Sequence, residues 1–303
     1  MSVRIGSHDR HAAGTVVGRQ AELAAVDAVL AAARDGLAAL VLEGEPGIGK
    51  TTVWREGIAR ARCQGYRVLS CRAAPAEARL SFAALSDLLA PIEGAAFESL
   101  PVPQRRALDA ALLRAEPQGA APDPRAIGTG VVSLVSELSA EAPVLLALDD
   151  VQWLDLPSAR TLEFALRRVE RGSVAVLATI RKPEPASRPS VVSVIADDRV
   201  HSLGLGPLSL DALNRIVEEH LGRRLPRPLL VKIEIATCGN PFYALEIARA
   251  LNAANVTSGH ALPVPDDLRD LVGSRLRRLP RLTRDALLRV SALAVPTVDL
   301  VDP

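Results

Sequence analysis

Apolar positions change period repeatedly along the chain, and the changes predict alternating helices and strands. Residues 20–35 carry Leu23, Val26, Ala28, Val29, Leu30 and Ala33 at helical spacing, and Gly36 ends the run. Residues 38–43 form a short apolar run, expected as a buried parallel strand. A glycine-rich turn then leads into a helix over 50–62, stopped by Gly65, and 66–71 reads as the next strand. This β-α-β order predicts a parallel sheet with right-handed crossovers. Two helical stretches are expected within 81–115, divided by Pro101 and Pro103. Asp123-Pro124 supplies a cap and a first-turn proline to a helix running to Ser139. Residues 144–148 form another buried strand, ending in Asp149-Asp150, and a helix follows over 157–169. The run 174–180 is a further strand ending at Arg181, 183–189 is a proline-rich loop, and a last strand lies near 200–205.

After Pro207 the strands stop. Helices are expected over 209–221, 226–237 and 241–252, then a linker to 265 and two more helices over 266–279 and 283–293. No fixed-period repeat is present. The expected organisation is a disordered leader (1–14), an α/β domain (15–207), a helical lid (208–254), and a linker with a further helical segment (255–303).

Composition narrows the class. A chain of 303 residues suggests about two domains. With 49% hydrophobic and 23% charged residues it forms cores rather than a disordered chain. Thirty-six basic side chains balance 35 acidic ones, so no global basic field holds nucleic acid. Cys63, Cys71 and Cys238 form no C-x-x-C pair, and His8, His11, His201, His220 and His260 are scattered, so no zinc site is expected. No apolar run approaches the roughly 20 residues of a membrane span, and the amino terminus lacks a signal-peptide core. A cytoplasmic protein is expected.

Lysine is rare: only Lys50, Lys182 and Lys232 occur. One of them completes a motif. Gly44-Glu45-Pro46-Gly47-Ile48-Gly49-Lys50-Thr51 matches G-x-x-x-x-G-K-[ST], directly after a strand and directly before a helix. At this composition such a match arises by chance in roughly one chain per thousand. Glycines let backbone N–H groups approach phosphates, and the helix N-terminus adds unpaired donors and partial positive charge. Lys50 reaches the β- and γ-phosphates as a point charge, and the Thr51 hydroxyl ligates Mg²⁺. Asp149, at the carboxyl end of its strand, is the expected second Mg²⁺ contact. Asp150 is a candidate to orient or deprotonate the attacking water, with capping or a salt bridge as its structural alternative. Arg181 is a candidate γ-phosphate sensor, with a solvated strand-end arginine as its alternative.

Four ordered motifs carry a family resemblance. Residues 16–23, Val16-Val17-Gly18-Arg19-Gln20-Ala21-Glu22-Leu23, resemble the opening motif of AAA+-related ATPases. Residues 43–52, from Glu43 through Thr52, resemble the phosphate loop of STAND-class signalling NTPases; 145–155 resemble their Walker B segment, and 239–246 their G-x-P module. The chain is most similar to the ATPase region of large LuxR-type, MalT-like regulators. That resemblance implies a P-loop NTPase fold, a mostly parallel sheet flanked by helices, followed by a helical lid and a partial winged-helix segment. It implies ATP or ADP bound with Mg²⁺ between sheet and lid, Gly18 and Arg19 near the adenine, and Pro241 packed on it. Asn240-Pro241 also reads simply as a helix cap and first turn. The winged helix would break off at the end of this sequence, so direct DNA binding is not expected.

The leading expectation is an ATP/ADP switch with slow Mg²⁺-dependent hydrolysis, partnered by self-association or by sensor and DNA-binding modules outside this chain. The alternatives are an AAA+ ATPase acting on nucleic acid, akin to replication initiators, and a nucleotide-binding remnant without output. Aromatic residues make up only 3%, which disfavours a base-stacking surface.

Overall fold

The computed structural model describes residues 16–116, 122–169, 172–181, 190–253 and, beyond these, 281, 283–285 and 287. Its centre is a parallel five-stranded sheet. The strands are β1 (Ala38–Gly44), β2 (Arg67–Arg72), β3 (Val144–Asp149), β4 (Val174–Arg181) and β5 (Val200–Gly204), in the order β2-β3-β4-β1-β5. The inner strands β1, β3 and β4 are buried nearly throughout, which is why their sequences read as unbroken apolar runs.

Alternate residues of each strand feed two different cores. On one face Ala38, Leu40, Leu42, Leu145, Ala147, Ala175 and Leu177 pack under helices α1 (Gln20–Ala32) and α2 (Lys50–Cys63). On the other, Ala39, Val41, Leu146, Leu148, Val176 and Ala178 meet helices α3 (Ala83–Leu89), α4 (Gly94–Glu98), α5 (Val102–Ala111), α6 (Pro124–Glu141), α7 (Leu156–Leu166) and α8 (Ser190–Ser193). The segment expected to hold two helices thus holds three. Pro101 separates α4 from α5, whereas Pro103 lies inside the first turn of α5, where its missing N–H costs nothing. Asp123 caps α6 by accepting from Arg125 N at 2.9 Å.

Asp155 fixes the connection over the end of the sheet. Its carboxylate, 2% exposed, caps α7 through Ser158 N and accepts from Phe82 N at 2.8 Å and Ala84 N at 3.1 Å. One side chain thereby holds the starts of α3 and α7 together.

Helices α9 (Leu210–Leu221), α10 (Arg227–Thr237) and α11 (Pro241–Ala253) form a third core from Leu208, Leu213, Val217, Ile233, Ile247 and Leu251. Val17, from ahead of α1, is buried in the same core. No helix among the described residues is long and apolar enough to cross a membrane. The expected leader, the linker after α11 and the helix over 266–279 lie outside the described residues; of the last expected helix, 283–285 and 287 are described and are helical.

Burial makes the thiols unequal. Cys63 and Cys238 are exposed, whereas Cys71 is buried on β2. Burial, with Asp87, Asp149 and Asp155 nearby, pushes the Cys71 thiol up from 9.0 to about 12. The folded state therefore keeps a proton that the unfolded chain releases above pH 9. The associated stability is intact below that pH and is lost progressively as pH rises towards 12, on the order of 4 kcal/mol in the limit. A thiol reagent at neutral pH is expected to label Cys63 and Cys238 rapidly and Cys71 only on unfolding. Three equal labelling rates in the native protein would contradict this packing.

Candidate functional site

The turn between β1 and α2 is built by engaging its own carbonyls. Lys50 Nζ donates to Gly44 O at 2.8 Å and Glu45 O at 2.9 Å. Asn240, just ahead of α11, donates to Pro46 O at 3.0 Å. Arg19 donates to Ile48 O at 2.7 Å and is held by Glu22 at 2.7 Å. In a planar trans peptide the N–H points opposite the C=O. Fixing these carbonyls therefore aims the amides of Glu45, Gly47 and Gly49 the other way, into the concavity ahead of α2. The first turn of α2 adds donors that have no intrahelical acceptor. The result is a cradle for an anion with several phosphates. Gly47 is required here: its φ is +80°, and a Cβ would meet Phe242 Cβ at 2.8 Å and Asn240 Oδ1 at 3.1 Å.

Lys50 is buried, and that burial lowers its pKa from the ordinary 10.5; Asp150 opposes the shift, Arg181 adds to it and Asp149 opposes it. An added phosphate charge would relieve this penalty.

Asp149 is the second focus. It is 1% exposed at the end of β3. The Thr51 hydroxyl lies 3.1 Å from its Oδ2 and 3.3 Å from Oδ1. Thr179, on the neighbouring β4, donates to Oδ1 at 2.6 Å, and Arg72, paired in register on β2, donates to Oδ2 at 3.1 Å. Thr179 Oγ1 also accepts from Asp150 N at 2.8 Å. Asp150 needs that anchor because its backbone is left-handed, at φ +57°. This turns its side chain away from the line of β3. Its carboxylate accepts from Gln152 Nε2 at 2.8 Å, and Arg181 Nε stands 3.8 Å away. Gln152 in turn accepts from Arg181 N at 3.3 Å.

The structure thus brings together Gly44 through Thr52, Asp149, Asp150 and Arg181, on adjacent strands. Gly18, Arg19 and Pro241 lie where the sheet domain meets helices α9–α11. A Cβ at Gly18, whose φ is +72°, would meet Ala212 Cβ of α9 at 2.7 Å. Pro241 opens α11, and Asn240 Oδ1 accepts from Phe242 N at 3.1 Å, so the capping reading holds. The Arg19 side chain is turned to the phosphate loop. Sequence reasoning missed Thr179, Arg72 and Gln152, and the grip of Asn240 on Pro46. Thr179 stands two residues before Arg181 and carried no motif of its own.

The donor set fits Mg²⁺ held by one hydroxyl, one carboxylate, phosphates and water. Among the described residues no cluster of three or more His, Cys, Asp or Glu could hold a metal. A cation bound with the phosphates would therefore rest on Thr51 and Asp149.

Comparison with known proteins agrees with this geometry. The family described as the AAA ATPase domain matches residues 15–177, more than half of the sequence. The chain belongs to that family. It is therefore a nucleotide-binding module of the AAA+ ATPase type. Among solved structures it is similar to a signal transduction ATPase with numerous domains (STAND) carrying a tetratricopeptide-repeat sensor, from Pyrococcus horikoshii. The identity is 16%, the TM-score 0.50, and the match covers 92% of this chain and 35% of that one. It is also similar to the ORC1 protein of Aeropyrum pernix, solved in complex with DNA, at 20% identity and TM-score 0.51, covering 91% of this chain and 72% of that one. These likenesses show a shared P-loop NTPase fold. The chain spans about a third of the Pyrococcus protein's length. No curated protein matches it.

Replacing Thr179 with valine keeps shape but strips the hydroxyl from Asp149 and from Asp150 N. Unfolding in urea is expected to show a loss of about 1–3 kcal/mol. A neutral result would mean that neither group depends on Thr179.

Proposed function

We propose that the chain is the ATP/ADP-binding switch of a LuxR-type, MalT-like signalling regulator, with slow Mg²⁺-dependent hydrolysis. The observation that carries the reading is the bond from Asn240, at the mouth of the lid, to the Pro46 carbonyl of the phosphate loop. A lid fastened to the loop responds to what the loop holds. The STAND-type neighbour supports the same reading.

In this proposal the nucleotide lies between an α/β domain (15–207) and a helical lid (208–254), with Gly18 and Pro241 near the base and the backbone of Arg19 beside it, its side chain bracing the phosphate loop. The segment 255–303 would begin a winged-helix domain. Lys50 and the loop amides hold the phosphates. Thr51 and Asp149 would hold Mg²⁺, which supplies charge neutralisation on the phosphate oxygens. Asp150 orients water for in-line attack, and Arg181 stabilises charge on the γ-phosphate. Asp150 is drawn towards Gln152 and Arg181, an arrangement suited to slow turnover. The protein would work in the cytoplasm, through self-association or contact with sensor and DNA-binding modules.

A second reading, an AAA+ ATPase acting on nucleic acid, is favoured by the likeness to the ORC1 protein seen with DNA. DNA-stimulated hydrolysis would select it over the switch.

Nucleotide released by denaturing the purified chain is expected to be near-stoichiometric ADP. Lys50→Ala is expected to weaken ATP and ADP binding about 10- to 100-fold. Asp150→Asn is expected to slow hydrolysis about a hundredfold with nucleotide affinity nearly unchanged. Unaltered binding in the Lys50 variant would remove the basis of both readings.

A further inference from the structure

We infer that Arg72 is an internal counter-cation that competes with Mg²⁺ for Asp149, and so sets how much metal the nucleotide site requires. The inference rests on the nucleotide reading above.

Strand order makes the contact. β2 lies at the edge of the sheet beside β3, and their register sets Arg72 opposite Asp149. Arg72 Nε donates to Oδ2 at 3.1 Å, the oxygen that Thr51 Oγ1 also approaches at 3.1 Å. Those two groups, Thr51 and Asp149, are the ones a divalent cation would use. The guanidinium therefore sits on a carboxylate oxygen that the metal needs.

The two partners differ sharply in freedom. The Asp149 side chain is 1% exposed, whereas that of Arg72 is 58% exposed. A buried carboxylate needs a compensating charge or strong donors. Thr51 and Thr179 supply neutral donors only; among the described residues Arg72 is the charged group hydrogen-bonded to Asp149, while the Lys50 charge acts on it from farther off. Being largely in water, its side chain can leave at small cost once another cation arrives. The buried partner cannot follow it.

Two properties result. Without metal, Arg72 adds to Lys50 in offsetting the Asp149 charge and keeps the strand ends in place. With metal, Arg72 must swing out or stand close to a dication, which raises the Mg²⁺ concentration needed. Arg72 is thus a positioning residue, acting through Asp149.

The test is binding of Mn²⁺, a magnetic stand-in for Mg²⁺, to the full chain saturated with ADP, followed by electron paramagnetic resonance. Native protein, Arg72→Ala and Arg72→Lys are titrated in parallel, with melting temperatures taken in chelator and in saturating Mg²⁺-ADP. Half-saturation by Mn²⁺ is expected to fall about tenfold in Arg72→Ala and to recover partly in Arg72→Lys. Arg72→Ala is expected to melt below native protein in chelator, the gap closing with metal. A purely structural arginine would leave a gap independent of metal and no change in half-saturation. Unchanged or weaker Mn²⁺ binding overturns the inference while leaving the nucleotide site intact. Should Arg72→Ala fail to fold, Arg72→Gln carries the same comparison. Absence of both ADP and Mn²⁺ binding in native protein overturns the proposed function as well.

Discussion

A buried carboxylate at the end of β3 constrains everything around it. Asp149 is almost fully removed from water, and an ionised group there is tolerated only with donors in place. Three separate elements deliver them: Thr51 from α2, Thr179 from β4 and Arg72 from β2. That requirement fixes the rotational phase of α2 above the sheet. It also requires β3 to lie between β2 and β4, the order observed. Moving Thr179 by one residue along β4 would turn its hydroxyl to the opposite face and leave Asp149 and the amide of Asp150 unserved.

The phosphate loop is controlled by the same kind of logic, from the opposite direction. Its carbonyls are bound by Lys50, Asn240 and Arg19, which come from the start of α2, the turn before α11 and the segment ahead of α1. The amides are left facing one concavity. Preorganisation of this sort lets an anion bind without first reorganising the backbone. Asp150 is left-handed at this site, and the hydrogen bond from its N–H to Thr179 Oγ1 helps hold it there.

Much of this was legible in the sequence. Unbroken apolar runs marked the inner strands because both faces are covered, and Gly44 to Thr51 declared the loop because few residue types tolerate its geometry. Lateral relations were not legible. Arg72 and Asp149 touch because β2 lies beside β3, and periodicity gives no strand order. Thr179 looked like an ordinary β-branched strand residue. Asn240 showed its capping role, which is local, but not its bond to Pro46, which spans 194 residues. The helices between β2 and α6 were harder to bound because distant groups set their ends, as the buried Asp155 does at the start of α3.

The burial of Val17 in the lid core has a consequence for how the chain assembles. Val17 precedes every strand of the sheet, yet it packs with Leu208, Leu213 and Ile247, which follow them all. A ribosome releases Val17 early and its partners late. The core of α9–α11 is therefore complete only when the segment ahead of α1 has met helices that follow the whole sheet. Such a contact carries a large loop-closure entropy and forms late in folding. Opening of the helical unit would release the segment ahead of α1 along with it.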